Sequence, residues 1–270
     1  MSSGRLQFTM NKCGGGKMNN LIKKFATALT AVLVVSSIFL LASVNASGGN
    51  ARGTEAAGIL DEIEAKHLAF MREEEKLARD VYLTLHKRFK NTKTPFSQID
   101  DSEQRHTDAV AGMLHRYGEA DPNTDDAIGV FTGEYADYFT QKYNALIDVD
   151  TPYPDHPLNY TNNPLLNALY HGAFIEELDM SDIGYCPYVM LEGYDEGGVY
   201  YEPVKGIDPA VGCGRDYTDE KAIKQLYDHL LNGSENHLRA YVYAIEQIIG
   251  EGQYQAQYLT QEEVDDILER

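Results

Sequence analysis

The chain has 270 residues, with 23 Lys and Arg against 42 Asp and Glu, a formal charge of −19 that repels nucleic acid and anionic membranes. Five of the 23 basic residues (Arg5, Lys12, Lys17, Lys23, Lys24) and no acidic ones fall in the first 46, leaving 18 against 42, or −24, for the 224 that follow. A core of that size suits one domain, and the sequence holds no nucleophilic triad, phosphate-binding loop or zinc-finger spacing.

Residues 1–46 have the layout of a secretory signal peptide. Lys23 and Lys24 precede a nearly unbroken apolar run from Phe25 to Ala42, and Val44-Asn45-Ala46 offers small residues for a cut after Ala46. The alternative is a retained anchor, because 18 apolar residues just span a bilayer; Met18 is an alternative start. Cleavage implies a secreted protein, extracellular, periplasmic or at the cell surface, with no membrane contact afterwards. Residues 47–54 (SGGNARGT) read as a flexible leader and 55–270 as the folded domain.

The first helical pattern runs from Glu55 to Lys90. Its inward stripe is Leu68, Met71, Glu75, Ala78, Tyr82, Leu85 and Phe89, at alternating steps of three and four. Glu73 and Glu74 beside it read as part of a solvated charge run. Asn91 to Pro95 breaks the pattern, and a second helix covers about Ser97 to Tyr117, stopping at Gly118. The short turn predicts an antiparallel hairpin. The second stripe is Ile99, Glu103, His106, Val110, Met113 and Tyr117, so a carboxylate and an imidazole one turn apart sit among apolar residues. A charge on a buried face is costly without a partner, and a metal ion is a fitting one. An ion pair with Arg79, Arg105 or Arg239 is the other option.

Residues 119–163 predict a long crossover, interrupted by one short helix from about Tyr135 to Ile147. A third helix runs from Pro164 to about Ile183. Here two stripes compete, one carrying Glu176 and the other Glu177. Residues 184–217 are rich in Gly and Tyr, lack helical periodicity and read as an inserted excursion with room for a hairpin. They contain Cys186 and Cys213, which an exported location favours joining, against free thiols or a thiolate metal site. The fourth helix runs from a Thr218/Asp219 cap to Ile249 and stops at Gly250. Its stripe, Ile223, Tyr227, Leu230, Ser234, His237, Tyr241, Ala244 and Ile248, turns His237 inward. A last helix, Gln261 to Glu269, follows Thr260 as its cap. His67, His86, His115, His156, His171 and His229 receive no role. Two helical hairpins joined by a long crossover predict an all-α fold, a ferritin-like four-helix bundle.

The motifs then suggest a family. EKLARDVY (Glu75 to Tyr82) resembles the first-helix ligand motif of ferritin-like proteins, EQRH (Glu103 to His106) the second and EELD (Glu176 to Asp179) the third. Over about residues 55–250, apart from the excursion, the chain is similar to DUF2202, an uncharacterised ferritin-like family. The resemblance implies two metal ions per chain, iron first, with manganese or copper as alternatives. It implies Glu75 as a terminal ligand, Glu103 as the bridge with His106 beside it, and His237 on the second ion. Glu177 would match the third-helix carboxylate, with Glu176 the alternative in register. Ser234 departs from the pattern, because such sites usually carry a Glu there. Tyr82 and Tyr241 are placed as neighbouring hydrogen-bond donors or radical traps. The expectation is an exported, self-assembling metal protein with oxidase or peroxide-linked redox activity. The alternative is a non-enzymatic extracellular protein whose ions stabilise the bundle.

Overall fold

A capping box, rather than Glu55, starts the first helix. The computed structural model describes residues 58–270 apart from residues 154 and 197, and in it α1 spans Glu62–Phe89. The Asp61 carboxylate accepts from the Glu64 backbone N–H, and the Glu64 carboxylate accepts from that of Asp61. The signal-peptide and leader readings lie outside the described residues. α2 (Phe96–Tyr117) ends where Gly118 turns left-handed at φ 77°, a conformation open to glycine. α3 (Ala136–Ile147) lies in the crossover. α4 (Pro164–Gly184) is capped by Asn163, whose side chain accepts from Leu165 and Leu166 N–H. The excursion holds a one-turn helix, α5 (Tyr188–Leu191), and an antiparallel hairpin of β1 (Tyr194–Glu196) and β2 (Val199–Tyr201). α6 (Lys221–Ile249) and α7 (Gln261–Ile267) complete the order, with Thr260 capping α7.

The described chain is thus mostly helical. α1 packs along α2 and α4 along α6, while α1 also meets α3 and α4, and α2 meets α6. The inward stripes of α1 and α2 are buried as read through Leu85 and Val110. On α6 the stripe drifts: Ile245 is fully buried and Ile248 is 44 % exposed. A repeat of three and four averages 3.5 residues, so a straight helix of 3.6 per turn rotates away from it over several turns. The start of α6 also differs from the predicted Thr218/Asp219 cap. Its N-cap is Glu220, and Thr218 instead accepts from the Glu220 N–H while its hydroxyl donates to Glu64. Among the described residues no helix is long and apolar enough to cross a membrane.

Cys186 and Cys213 are joined and buried. The disulfide closes the excursion where the Tyr185 carbonyl accepts from the Cys213 and Gly214 N–H groups.

Charged groups of α1 hold the crossover. Lys76 and Asp80 are fully buried and 2.6 Å apart, and the Lys76 ammonium also donates to the Ala127 carbonyl. Asp80 accepts from Gly129 N–H, and Arg79 bridges Asp80 to Asp126. Glu73 accepts from the N–H groups of Thr132 and Gly133. Glu73 and Glu74 are therefore buried rather than solvated, Glu73 under the crossover and Glu74 beside Asp179 and Asp182 of α4. Replacing Lys76 by Met keeps the volume but strips Asp80 of a buried partner. Lys76→Met is expected to destabilise by about 3 kcal/mol in denaturant unfolding; a loss under about 1 kcal/mol would show that the pair behaves like a surface one.

Candidate metal centre

Four helices bring five titratable side chains together. Glu75 comes from α1, Glu103 and His106 from α2, Glu176 from α4 and His237 from α6. All five are buried and form two groups, Glu75–Glu103–His106 and Glu103–Glu176–His237, with donor atoms within 4.8 Å of one another in each. Glu103, 2 % exposed, belongs to both. One of its oxygens lies 2.9 Å from His106 Nδ1 and the other 2.7 Å from His237 Nδ1. Glu75 Oε2 is 3.3 Å from His106 Nδ1, and Glu176 Oε2 is 3.4 Å from His237 Nδ1.

The donor set fits divalent ions. Ligand atoms ~2.1 Å from one ion at right angles lie about 3 Å apart, which is the spacing found between these carboxylate oxygens and ring nitrogens. Glu103 Oε1 and His237 Nδ1 approach to 2.7 Å without being aligned as a hydrogen bond, and Glu75 Oε1 has no hydrogen-bond partner. Buried lone pairs converging in this way need either protons or a cation.

Protons hold the cage without metal. Burial opposes a charge on His106, but Glu75 and Glu103 raise it to about 11. Burial opposes His237 likewise, and Glu176 and Glu103 raise it to about 10. Burial pushes Glu103 up, and the two histidines override it and hold the carboxyl near 2. Glu75 is raised to about 7 by burial, against His106. Glu176 is raised by burial against His237.

Neighbouring groups fix the ligands. The Tyr82 hydroxyl donates to Glu176 Oε1 at 2.6 Å, and the Tyr241 ring packs on those of Tyr82 and Phe96. Gly233 lies against the His106 ring, where an added Cβ would sit 2.4 Å from its Cε1 atom. Ser234 is buried and donates at 2.5 Å to Asp179 Oδ2, whose other oxygen is unpartnered. A carboxylate from α4 thus approaches the place where α6 carries serine.

The competing readings of the third helix separate clearly. Glu176 joins the cage. Glu177 faces away, its carboxylate accepting from the Tyr254 hydroxyl and from the N–H groups of Gln257, Tyr258 and Leu259. It anchors the segment ahead of α7. The arginines considered as partners lie elsewhere: Arg79 pairs with Asp80 and Asp126, and Arg239 with Glu235. His67 is held neutral, lowered to about 4 by burial, between the Tyr227 hydroxyl and the Asp182 carbonyl.

The sequence reading takes Glu74 as solvated and gives Asp179 and Asp182 no role. All three are buried with unpartnered oxygens. Glu74 and Asp179 are raised well above the carboxylate range by burial and by each other's neighbours, and Asp182 is raised to about 7 by burial against Lys142. Asp179 was legible: it lies three residues beyond Glu176, on the same helix face.

Residues 64–187 and 213–270 match the family described as "Uncharacterized protein domain (DUF2202)". MJ0754, an uncharacterized protein of Methanocaldococcus jannaschii, is 34 % identical over 209 residues, which are 77 % of this chain and 88 % of that protein. The crystal structure of hypothetical protein MJ0754 from Methanococcus jannaschii DSM 2661 matches with a TM-score of 0.59 at 32 % identity, covering 81 % of this chain and 98 % of that one.

A raised group is stabilising below its unfolded value and loses that contribution as pH climbs to its folded value. For Glu75 and Asp182 the loss runs from 4.5 and 3.8 to about 7, and for His106 and His237 from 6.5 to about 11 and about 10. Glu103 has the opposite sign, losing its contribution below 4.5 toward about 2. The buried neutral His67 and His171 lose theirs from 6.5 toward about 4, which offsets part but not all of the gain at pH 5 from the raised carboxyls and cage histidines. The metal-free protein is therefore expected to melt at a higher temperature at pH 5 than at pH 7.5. A melting temperature that is flat or rising over that interval would contradict these protonation states.

Proposed function

The chain belongs to the DUF2202 family, and we propose that it is an exported metal-binding protein holding two iron-group ions in a ferritin-like four-helix bundle. The observation that carries this reading is the placement of Glu103, one buried carboxylate shared by two Glu–His sets drawn from four helices. Such convergence on one carboxylate is how helix bundles hold dimetal centres. In this reading Glu75 and His106 hold one ion, Glu176 and His237 the other, and Glu103 spans both. Iron is the first assignment, with manganese or copper as alternatives that the mixed oxygen and nitrogen donors accept. The ions would supply one-electron redox chemistry, with dioxygen or peroxide as acceptor and ferrous ion or another small reductant as donor.

The chain's own groups have definable parts. His106 and His237 give up their protons when they bind, so loading releases protons and strengthens as pH rises. Tyr82 orients Glu176 through its hydrogen bond, and Gly233 leaves space for the His106 ring. Ser234 keeps Asp179 beside the cage in place of a carboxylate of its own. The basic-then-apolar segment ending near Ala46 and the Cys186–Cys213 disulfide support export. The family match leaves out residues 188–212, which supports reading the disulfide-bounded stretch as an insertion suited to self-assembly. Ser234 also favours a second reading, in which the ions are structural and turn nothing over.

Anaerobic reconstitution followed by metal analysis is expected to give about two ions per chain, and Glu103→Ala with His106→Ala to lose at least half of them. Unchanged metal content in that double variant would remove the assignment, and absence of metal in the wild type would remove both readings. Bound metal without turnover of peroxide or dioxygen would leave the structural one.

A further inference from the structure

A cleft of about 370 Å³ opens between α2 and α6, and the two cage imidazoles, His106 and His237, form part of its lining. Its other side chains include Arg105, His229, Asn232 and Asn236, and no carboxylate lines it. That is unusual for a chain with 42 acidic residues. Arg105 is exposed and makes no ion pair among the described residues. Six other described arginines each meet a carboxylate, and Arg116 lies over the Tyr117 ring. The exposed His229 ring meets the His106 ring edge to face, centroids 5.7 Å apart. A side chain at 233 would fill the space against His106, and the residue there is glycine.

The charge balance behind the cleft has the same sign. Two divalent ions bring four positive charges, and the cage meets them with three carboxylates and two neutral imidazoles. One positive charge is left over. An anion entering from the cleft would meet that charge directly, with a guanidinium fork behind it.

We propose that this cleft binds a small oxyanion of about phosphate size, gripped by Arg105 with His229 beside it, as an exogenous ligand of the metal centre. The site is the polar entrance to the cage and selects small anions over cations. It rests on the metal reading of the cage, and the two can fail separately.

Inorganic phosphate is titrated calorimetrically at fixed ionic strength into the metal-loaded and metal-free protein, with metal content measured before and after. Arg105→Ala alters an exposed side chain with no ion pair among the described residues, so it is expected to fold and to keep wild-type metal content. His229→Ala is expected to fold, and its metal content is measured because its ring touches His106. Arg105→Ala is expected to weaken phosphate binding about tenfold, the loss of one charge-assisted contact, and His229→Ala to weaken it by less. Phosphate affinity that is indifferent to Arg105→Ala, or no saturable binding to either form of the wild type, overturns the proposal. Arg105-dependent binding to a protein that takes up no metal upholds the anion cleft and removes the dimetal reading, together with the anion's part as a metal ligand.

Discussion

The carboxylate of Glu103 is the constraint on which the rest of the interior depends. A carboxylate 2 % exposed cannot keep its charge unless something positive holds it. Here two imidazoles from different helices do so, one on each oxygen. That single group therefore ties α2 to α6. Glu75 and Glu176, facing the same histidines, extend the tie to α1 and α4. The apolar seams within the α1–α2 and α4–α6 pairs would be satisfied by many relative placements of the two pairs. The cage is more demanding, because each donor has to reach a particular neighbour at hydrogen-bond or ligand distance.

Beside the cage lies a set of acids with a different solution to burial. Burial favours the protonated forms of Glu74, Asp179 and Asp182, reinforced by neighbouring carboxylates at Glu74 and Asp179 and opposed by Lys142 at Asp182. The core is thus acidic in composition but not in charge. Glu103, held by two histidines, stays ionised; Glu75, facing one, is raised only to about 7, and Glu74, away from them, is raised well above the carboxylate range. The boundary falls within two adjacent side chains of α1, Glu74 and Glu75, whose neighbours differ only because successive residues face about 100° apart on a helix.

Much of this was legible in the sequence where a helix buries one face. The stripes of α1, α2 and α6 placed Glu75, Glu103, His106 and His237 inward by spacing alone. α4 was ambiguous for a physical reason: the cage covers one side and the segment anchored by Glu177 covers another, so it is buried nearly all round. A helix covered on several sides has no polar face to set its phase, and adjacent glutamates cannot be told apart. Glu73 and Glu74 misled in the converse way. Charged neighbours on a long helix normally mark a solvated face, and nothing local announces that a crossover some 60 residues on will fold over Glu73 or that α4 acids will lie beside Glu74. Arg105 belongs to the same class, since its significance lies in pairing with no carboxylate among the described residues.

The asymmetry of the cage connects the interior to the surface. α1 and α4 each contribute one glutamate, α2 contributes a glutamate and a histidine, and α6 a histidine alone, with Ser234 in the place that would complete the symmetry. Asp179 reaches that serine from α4, yet it lies outside both donor groups and its environment favours the protonated form, so it does not restore the missing charge. In the proposed dimetal reading, a centre one negative charge short would be less willing to lose a further electron than a symmetrical one, because oxidation would add positive charge to an enclosure already in excess. An anion admitted beside His106 and His237 would correct the balance and lower the cost of oxidation. On that reading the serine at 234 and the unpaired arginine at 105 are two parts of one electrostatic arrangement, in which the fourth negative charge would come from solution rather than from the chain.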